Sequence, residues 1–247
     1  MQGVRGSDET PGEFRTVQNF IGSTRDIREA RFVPPPPERL GDCLAALERS
    51  MNPDSDEMPP LVRLALVHYQ FEAIHPFRDG NGRVGRLLMP LLLHSYEKID
   101  GPVLYISAYI EQHRRQYTEL LLRVSQTGDY LSWVKFFLEA VTKSAQGSVS
   151  RAEALVSLRG NYHQRLHTAR SSALLLKLVD AFFERPSMSI GATAQLLDVT
   201  PAAAVANLRR LQELEIVEEV TGRRRDQRYV ARQLIQVVHG ERSGSDT

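Results

Sequence analysis

The sequence predicts a mainly α-helical chain: a helical core with a short β-hairpin near its start, followed by a small α+β unit. Two observations carry this. Residues that can face a core recur at helical spacing over long stretches, as at Leu64, Ala65, His68 and Phe71, whereas the alternation of a strand is confined to short segments. Composition then shifts at Gln146 to Ser150, and short helix and hairpin patterns follow. A chain of 247 residues holds one or two domains and can bury real cores.

Composition removes several function classes. The 31 Lys and Arg balance 30 Asp and Glu, so no general affinity for polyanions follows. The single cysteine, Cys43, has apolar neighbours Leu40, Leu44 and Leu47 and reads as a small core residue, which leaves no disulfide framework. No apolar run reaches the roughly 18 residues of a membrane span, and the N-terminus has no apolar signal core. The expectation is a soluble cytoplasmic protein with no membrane partner.

Residues 1–15 read as a polar loop. Thr16 to Ile21 reads as a strand with Val17, Asn19 and Ile21 on one side, Gly22 to Arg25 as a turn, and Ala30 to Val33 as the returning strand. Pro34 to Pro37 cannot continue a sheet interior. Helices are expected at Glu38 to Met51 and, after a loop, at Leu61 to Ile74, which ends because a residue before proline avoids the helical region and His75-Pro76 is pushed to extension. His68 lies seven residues before His75, but no third ligand has suitable spacing, so His68 reads as a core histidine with a polar partner. Gly82 to Tyr96 is the next helix. Ser107 is expected to cap a helix over Ala108 to Gln126 that turns Ile110, His113, Tyr117, Leu120, Leu121 and Val124 inward. Gly128 stops it, and Asp129 caps Tyr130 to Ser144, which buries Trp133, Phe136 and Phe137.

Beyond the shift, Arg151 to Arg185 reads as a long helical stretch. Ser189 to Leu197 is a short helix, and Thr200 and Pro201 open a helix to Leu214 with Val205, Leu208 and Leu211 inward. Ile216 to Val220 and Gln227 to Val230 read as a hairpin. Two short helices, a tight turn and a hairpin resemble a winged helix-turn-helix. The expected domains are a core at 1–146, a helical linker at 147–172 and the winged helix at 173–238. Arg209 and Arg210 on the second helix, with Arg223, Arg224 and Arg225 at the wing tip, are candidates for DNA phosphates. Glu213, Glu215, Glu218 and Glu219 beside them weaken that field, so a protein-binding surface or a homodimer stands as the rival reading.

The chemistry concentrates in His75-Pro76-Phe77-Arg78-Asp79-Gly80-Asn81-Gly82-Arg83-Val84-Gly85-Arg86, followed at once by Leu87, Leu88, Leu91 and Leu92. This is a loop feeding a helix. The glycines let successive N–H groups point into one concavity, and the helix N-terminus adds partial positive charge that favours a phosphate. Arg83 and Arg86 are three apart and share a helix face. His75 is the nearby group able to exchange a proton near neutral pH. A lone Gly-Asn-Gly would be an ordinary turn, but a phosphate cradle, two cations, a carboxylate and a base together point to phosphoryl or nucleotidyl chemistry.

At every fixed position the stretch resembles the Fic family signature H-x-F-x-(D/E)-G-N-G-R-x-x-R. The resemblance implies a helical domain that transfers AMP from ATP to a Ser, Thr or Tyr hydroxyl of a target protein, the chain itself included. In that reading His75 is the base and Asp79 holds Mg²⁺. Gly80, Asn81 and Gly82 cradle the phosphates, Arg83 grips the β-phosphate side and Arg86 the γ-phosphate, and Phe77 anchors the loop in the core. Gln18-Asn19-Phe20-Ile21-Gly22 and Phe32 to Pro36 resemble a flap over the active site, with Phe20 where the family commonly has Trp. The free edge of such a flap can bind an extended peptide. Tyr117, in His113-Arg114-Arg115-Gln116-Tyr117, resembles the family's adenine-side tyrosine, although a core aromatic is the plainer reading. Gly3 to Gly6 resembles a segment that usually follows a helix, so the chain looks like a member that begins late. An inhibitory pattern (S/T)-x-x-x-E-(G/N) is met only by Ser107 to Glu111, which Gln112 then breaks, so the expectation is an enzyme not inhibited in cis. The alternative is a DNA-binding transcriptional regulator whose Fic core only senses nucleotide.

Overall fold

The computed structural model describes residues 12–22, 26–52, 57–101, 104–169, 172–223 and 226–239. Two compact units divide after Ser148.

The first unit is helical: α1 (Leu40–Met51), α2 (Pro60–Ile74), α3 (Asn81–Ser95), α4 (Ser107–Gln112), α5 (Arg114–Thr127) and the start of α6 (Tyr130–Thr168). Its core gathers Leu64, Ala65, Met89, Leu93, Ile110 and Leu120 around Trp133 and Phe137. Trp133 is wholly buried, and its indole N–H donates to the Ala65 carbonyl at 2.8 Å, as a buried indole requires. Helix α2 is the central element, buried from Leu64 to Ile74 on nearly every side. Helix α3 packs on it so closely that a Cβ on Gly85 would lie 2.5 Å from Glu72 Oε1 and 3.0 Å from Phe71 Cδ1, an approach open only to glycine.

Three local expectations change. The flap is a hairpin reduced to one antiparallel bridge, Ile21 with Phe32, closed through a 3-10 turn at Ile27–Glu29. Among the described residues no ladder extends it: Pro34 to Pro37 follow, and the Gln18 and Asn19 side chains bond to backbone carbonyls nearby. The helix expected over Ala108 to Gln126 breaks at His113 (φ −112°, ψ 28°), whose ring stacks on Tyr109 at 4.1 Å. Ser107 is the first residue of α4 and caps nothing with its side chain. Asp129 does cap, its carboxylate accepting from Ser132 N–H at 3.1 Å.

The second unit comprises the rest of α6, α7 (Ala173–Glu184), β1 (Ser187–Ser189), α8 (Ile190–Leu197), α9 (Pro201–Glu213), β2 (Glu218–Glu219), β3 (Arg228–Val230) and α10 (Arg232–His239). The antiparallel sheet has the order β1-β3-β2, with Ser187 and Glu218 both opposite Val230. The sequence reading lacked β1, since three residues with one buried side chain give no alternation to detect. The hydroxyls of Ser189 and Thr200 accept from Ala192 and Ala203 N–H groups, capping α8 and α9. Helix α6 runs unbroken through the expected linker, and its Tyr162 and Leu166 are buried in the second unit's core with Leu178, Phe182, Leu208 and Tyr229. Those linker residues are part of a core.

Candidate active site at the start of α3

Helix α2 ends at His75, which adopts the left-handed conformation (φ 50°, ψ 60°) instead of the expected extension. Both conformations avoid the clash with the Pro76 ring; the left-handed one also keeps the His75 N–H on the Phe71 carbonyl at 3.0 Å and turns the chain sharply. The half-buried imidazole places Nδ1 3.3 Å from the Glu72 carbonyl. A carbonyl can only accept, so Nδ1 carries the proton and Nε2 keeps its lone pair. Burial pushes the His75 pKa below its ordinary value; the Glu72 carbonyl raises it, the Arg15 charge lowers it and Asp79 raises it. His75 is therefore neutral, and a competent base, at neutral pH.

The loop is pinned by Asn81. Its side-chain oxygen accepts from Phe77 N–H and its amide donates to the Phe77 carbonyl, both at 2.8 Å. The Phe77 ring lies 5.5 Å from Phe14 and 6.5 Å from Phe71. Gly80 takes φ 84°, and its carbonyl accepts from Arg83 and Val84 N–H at 3.0 Å. The N–H groups of Asn81 and Gly82, in the first turn of α3, have no acceptor among the described residues. Arg83 pairs with Asp79 at 3.1 Å, both half-exposed. Arg86 folds back along α3, so that a Cβ on Gly82 would lie 3.0 Å from its Nη1. The first turn of α3 thus gathers unpaired amides and two cations, an anion site in composition and geometry.

Glu72 was not singled out from the sequence. Its side chain lies beneath α3, close to Arg86, with Oε1 buried and unpartnered, and a lone acid four residues after His68 and three before His75 gives no motif to find it by. Burial raises its pKa to about 7, against the opposing pulls of Arg86 and Tyr117. His68 is the satisfied core histidine expected, with Nδ1 3.2 Å from the Gly85 carbonyl and Nε2 3.0 Å from the Tyr117 hydroxyl. Burial lowers its pKa to about 4. Tyr117 is accordingly a core residue behind the loop, only 7% exposed and 5.8 Å from the Trp133 ring.

In the flap, Gln18 Nε2 donates to the Asn19 and Pro34 carbonyls, and Asn19 Nδ2 donates to the Phe77 carbonyl at 3.3 Å, tying flap to loop. Phe20 is half-buried and Ile21 exposed. Between flap, α2 and α5 lies a pocket of about 140 Å³ whose lining includes Ile21, Phe32, Glu72, Ala73 and Leu121. A larger hollow of about 700 Å³, bordered by Leu47, Val62 and Leu131, contains no residue of the loop, so size alone does not mark the site. In the second unit, Arg209, Arg210 and Arg223 are exposed, and Arg210 pairs with Glu213 at 2.8 Å; Arg224 and Arg225 lie outside the described residues, as does Gly3 to Gly6. Glu111, of the partial inhibitory pattern, is exposed and pairs with Arg114 at 3.3 Å. No three His, Cys, Asp or Glu side chains cluster as a metal site among the described residues, and no helix among them is long and apolar enough to cross a membrane.

Comparison with known proteins finds one family model, several curated relatives and a solved structure similar to the chain. The Fic/DOC family model matches residues 2–93. Proteins named protein adenylyltransferase Fic from Culex quinquefasciatus and Drosophila ananassae are 34% and 35% identical to the chain over 134 residues, which is 54% of this chain and 24% of each of theirs. The chain thus spans about a quarter of the length of these curated relatives. A crystal structure of a Fic family protein from Desulfovibrio desulfuricans G20 superposes with a TM-score of 0.51 at 25% identity, covering 92% of this chain and 64% of that one. The loop from His75 to Arg86 therefore lies within the stretch of the chain that the Fic/DOC family model matches.

Proposed function

We propose that the chain is a protein adenylyltransferase that moves AMP from ATP to a hydroxyl of a target protein. The observation that carries this reading is the pairing of a half-buried neutral His75 with the unpaired Asn81 and Gly82 amides and the Arg83 and Arg86 guanidiniums in one helix start. The names of the relatives support adenylyl transfer as the reaction class.

The target hydroxyl oxygen attacks the α-phosphorus while its proton passes to His75 Nε2; the bond from that phosphorus to the bridging oxygen breaks, and pyrophosphate leaves with the electron pair. A positioned base contributes about 10²–10⁴-fold to such a step. The loop amides and the two arginines hold the phosphates and meet the charge that builds on them. Arg83 must release Asp79 to do so, because the two are paired. Asp79 is a single carboxylate, which suits Mg²⁺, an ion that usually binds through one or two carboxylates together with substrate phosphates. Bound there, the ion would neutralise phosphate charge. Gln18, Asn19, Phe20 and Ile21 would dock the target as an added strand, since the Val17 to Phe20 N–H groups make no backbone hydrogen bond among the described residues.

Incubation with α-labelled ATP and Mg²⁺, then a denaturing gel, tests this. Label on the chain or on a lysate protein is expected from α-labelled and not from γ-labelled ATP. Label from the γ-position would refute adenylyl transfer.

A further inference from the structure

Arg15 lies in a segment without regular secondary structure, yet it is 2% exposed. Its guanidinium donates to four backbone carbonyls: Nε to His75 at 2.9 Å, Nη1 to Val17 at 3.3 Å, and Nη2 to Ile74 at 3.4 Å and to Pro35. Its own N–H donates to the Pro76 carbonyl at 2.9 Å. No carboxylate pairs with it among the described residues. The Glu38 charge acts on it without a direct ion pair, and a buried cation with no anion in contact is costly, so apolar packing would serve a purely structural position better. What this cation holds is therefore informative. It grips three separate segments: the base of the flap, the proline run that ends the flap, and the peptide planes on both sides of His75.

His75 needs such a grip. A non-glycine residue in the left-handed region costs about 1–2 kcal/mol and persists only where its surroundings over-determine it. Its N–H is fixed by Phe71; the fixing of its carbonyl falls to Arg15.

We propose that Arg15 is the positioning residue of the site, a staple that sets where the His75 imidazole stands and ties that position to the flap on which the target docks. This rests on the adenylyltransferase reading. Arg15 touches no reacting atom in this scheme; it acts through the His75 and Val17 backbones.

The test compares Arg15→Met, which keeps length and loses every donor and the charge, with Arg15→Lys, which keeps charge and loses the fork. For Arg15→Met, kcat for transfer is expected to fall about 100-fold, the lower part of the range for a positioned base, with ATP affinity within about threefold of wild type. Arg15→Lys should recover little of that loss, because one ammonium cannot serve four carbonyls. An NMR titration of the His75 imidazole reads the same contact without any turnover. The charged groups acting on that ring are Arg15 and Asp79, so loss of the Arg15 charge should move its titration to higher pH, and Arg15→Lys should restore it. Fluorescence of Trp133, the only tryptophan, checks that the core is intact in each variant. Unchanged kcat with an unchanged His75 titration in Arg15→Met overturns the proposal, as does an equal loss of ATP affinity and kcat. If wild type transfers no AMP, the functional reading fails, and the His75 titration alone still decides whether Arg15 governs the imidazole.

Discussion

Replacing Glu72 by glutamine should make the first unit more resistant to unfolding at pH 8 and leave it nearly unchanged at pH 4.5. Glu72 is 9% exposed, its Oε1 has no hydrogen-bond partner, and its pKa rises from 4.5 to about 7 on folding. A carboxyl whose folded pKa is raised favours the fold while protonated; that contribution is complete below about pH 4.5 and is lost as the pH climbs through 7. At about 1.4 kcal/mol per pKa unit, the shift corresponds to about 3 kcal/mol. His68 works in the opposite direction, since its pKa drops from 6.5 to about 4 and its contribution is lost as the pH falls through that interval. The two nearly cancel in the wild type, so the quantity to follow is the difference between wild type and variant, in which His68 drops out. That difference should shift by about 3 kcal/mol in favour of glutamine between pH 4.5 and pH 8. Urea unfolding followed by Trp133 fluorescence measures it, and that indole lies in the first unit's core, so the second unit is silent. A difference constant across this range would refute the burial argument.

Three further outcomes follow from the site. His75→Ala should reduce AMP transfer at least 100-fold while ATP affinity, measured by calorimetry, stays within a few-fold, because the base acts on the hydroxyl and not on the nucleotide. Val17→Pro, which deletes a donor at the flap edge, should raise KM for the protein target more than it weakens ATP binding, and equal effects would make the flap purely structural. Gly85→Ala should destabilise: overpacking against Glu72 and Phe71 costs about 1–3 kcal/mol, which outweighs the helix preference for alanine of about 1 kcal/mol, and thermal melting would show it.

The helices and the loop were legible because their signals are local. Apolar periodicity places α2 and α3, Thr200 with Pro201 opens α9, and the glycines between His75 and Arg86 mark the loop that feeds α3. What escaped depends on distant partners. Arg15 looked like one more polar loop residue, because its acceptors are backbone carbonyls 20 and 60 positions away, and carbonyls have no sequence signature. Glu72 drew no notice, because only the packing of α3 over α2 shows that its side chain is buried. The reduced flap and the break at His113 are tertiary decisions of the same kind: local propensity favoured a strand and a continuous helix, and neighbouring side chains settled otherwise.

The left-handed backbone at His75 also constrains how its chemistry can be dissected. Alanine removes the imidazole but is less at ease at φ 50°, so the ATP affinity of the alanine variant is the reading that separates loss of the base from a displaced loop. Asparagine enters that region more readily and keeps a polar group of similar reach, and glycine enters it freely at the expense of a looser unfolded and folded backbone. Agreement among the three would assign the loss to proton transfer. A graded series, with asparagine retaining nucleotide affinity and alanine losing it, would show that one residue is both the reactive group and the hinge pin of the phosphate loop.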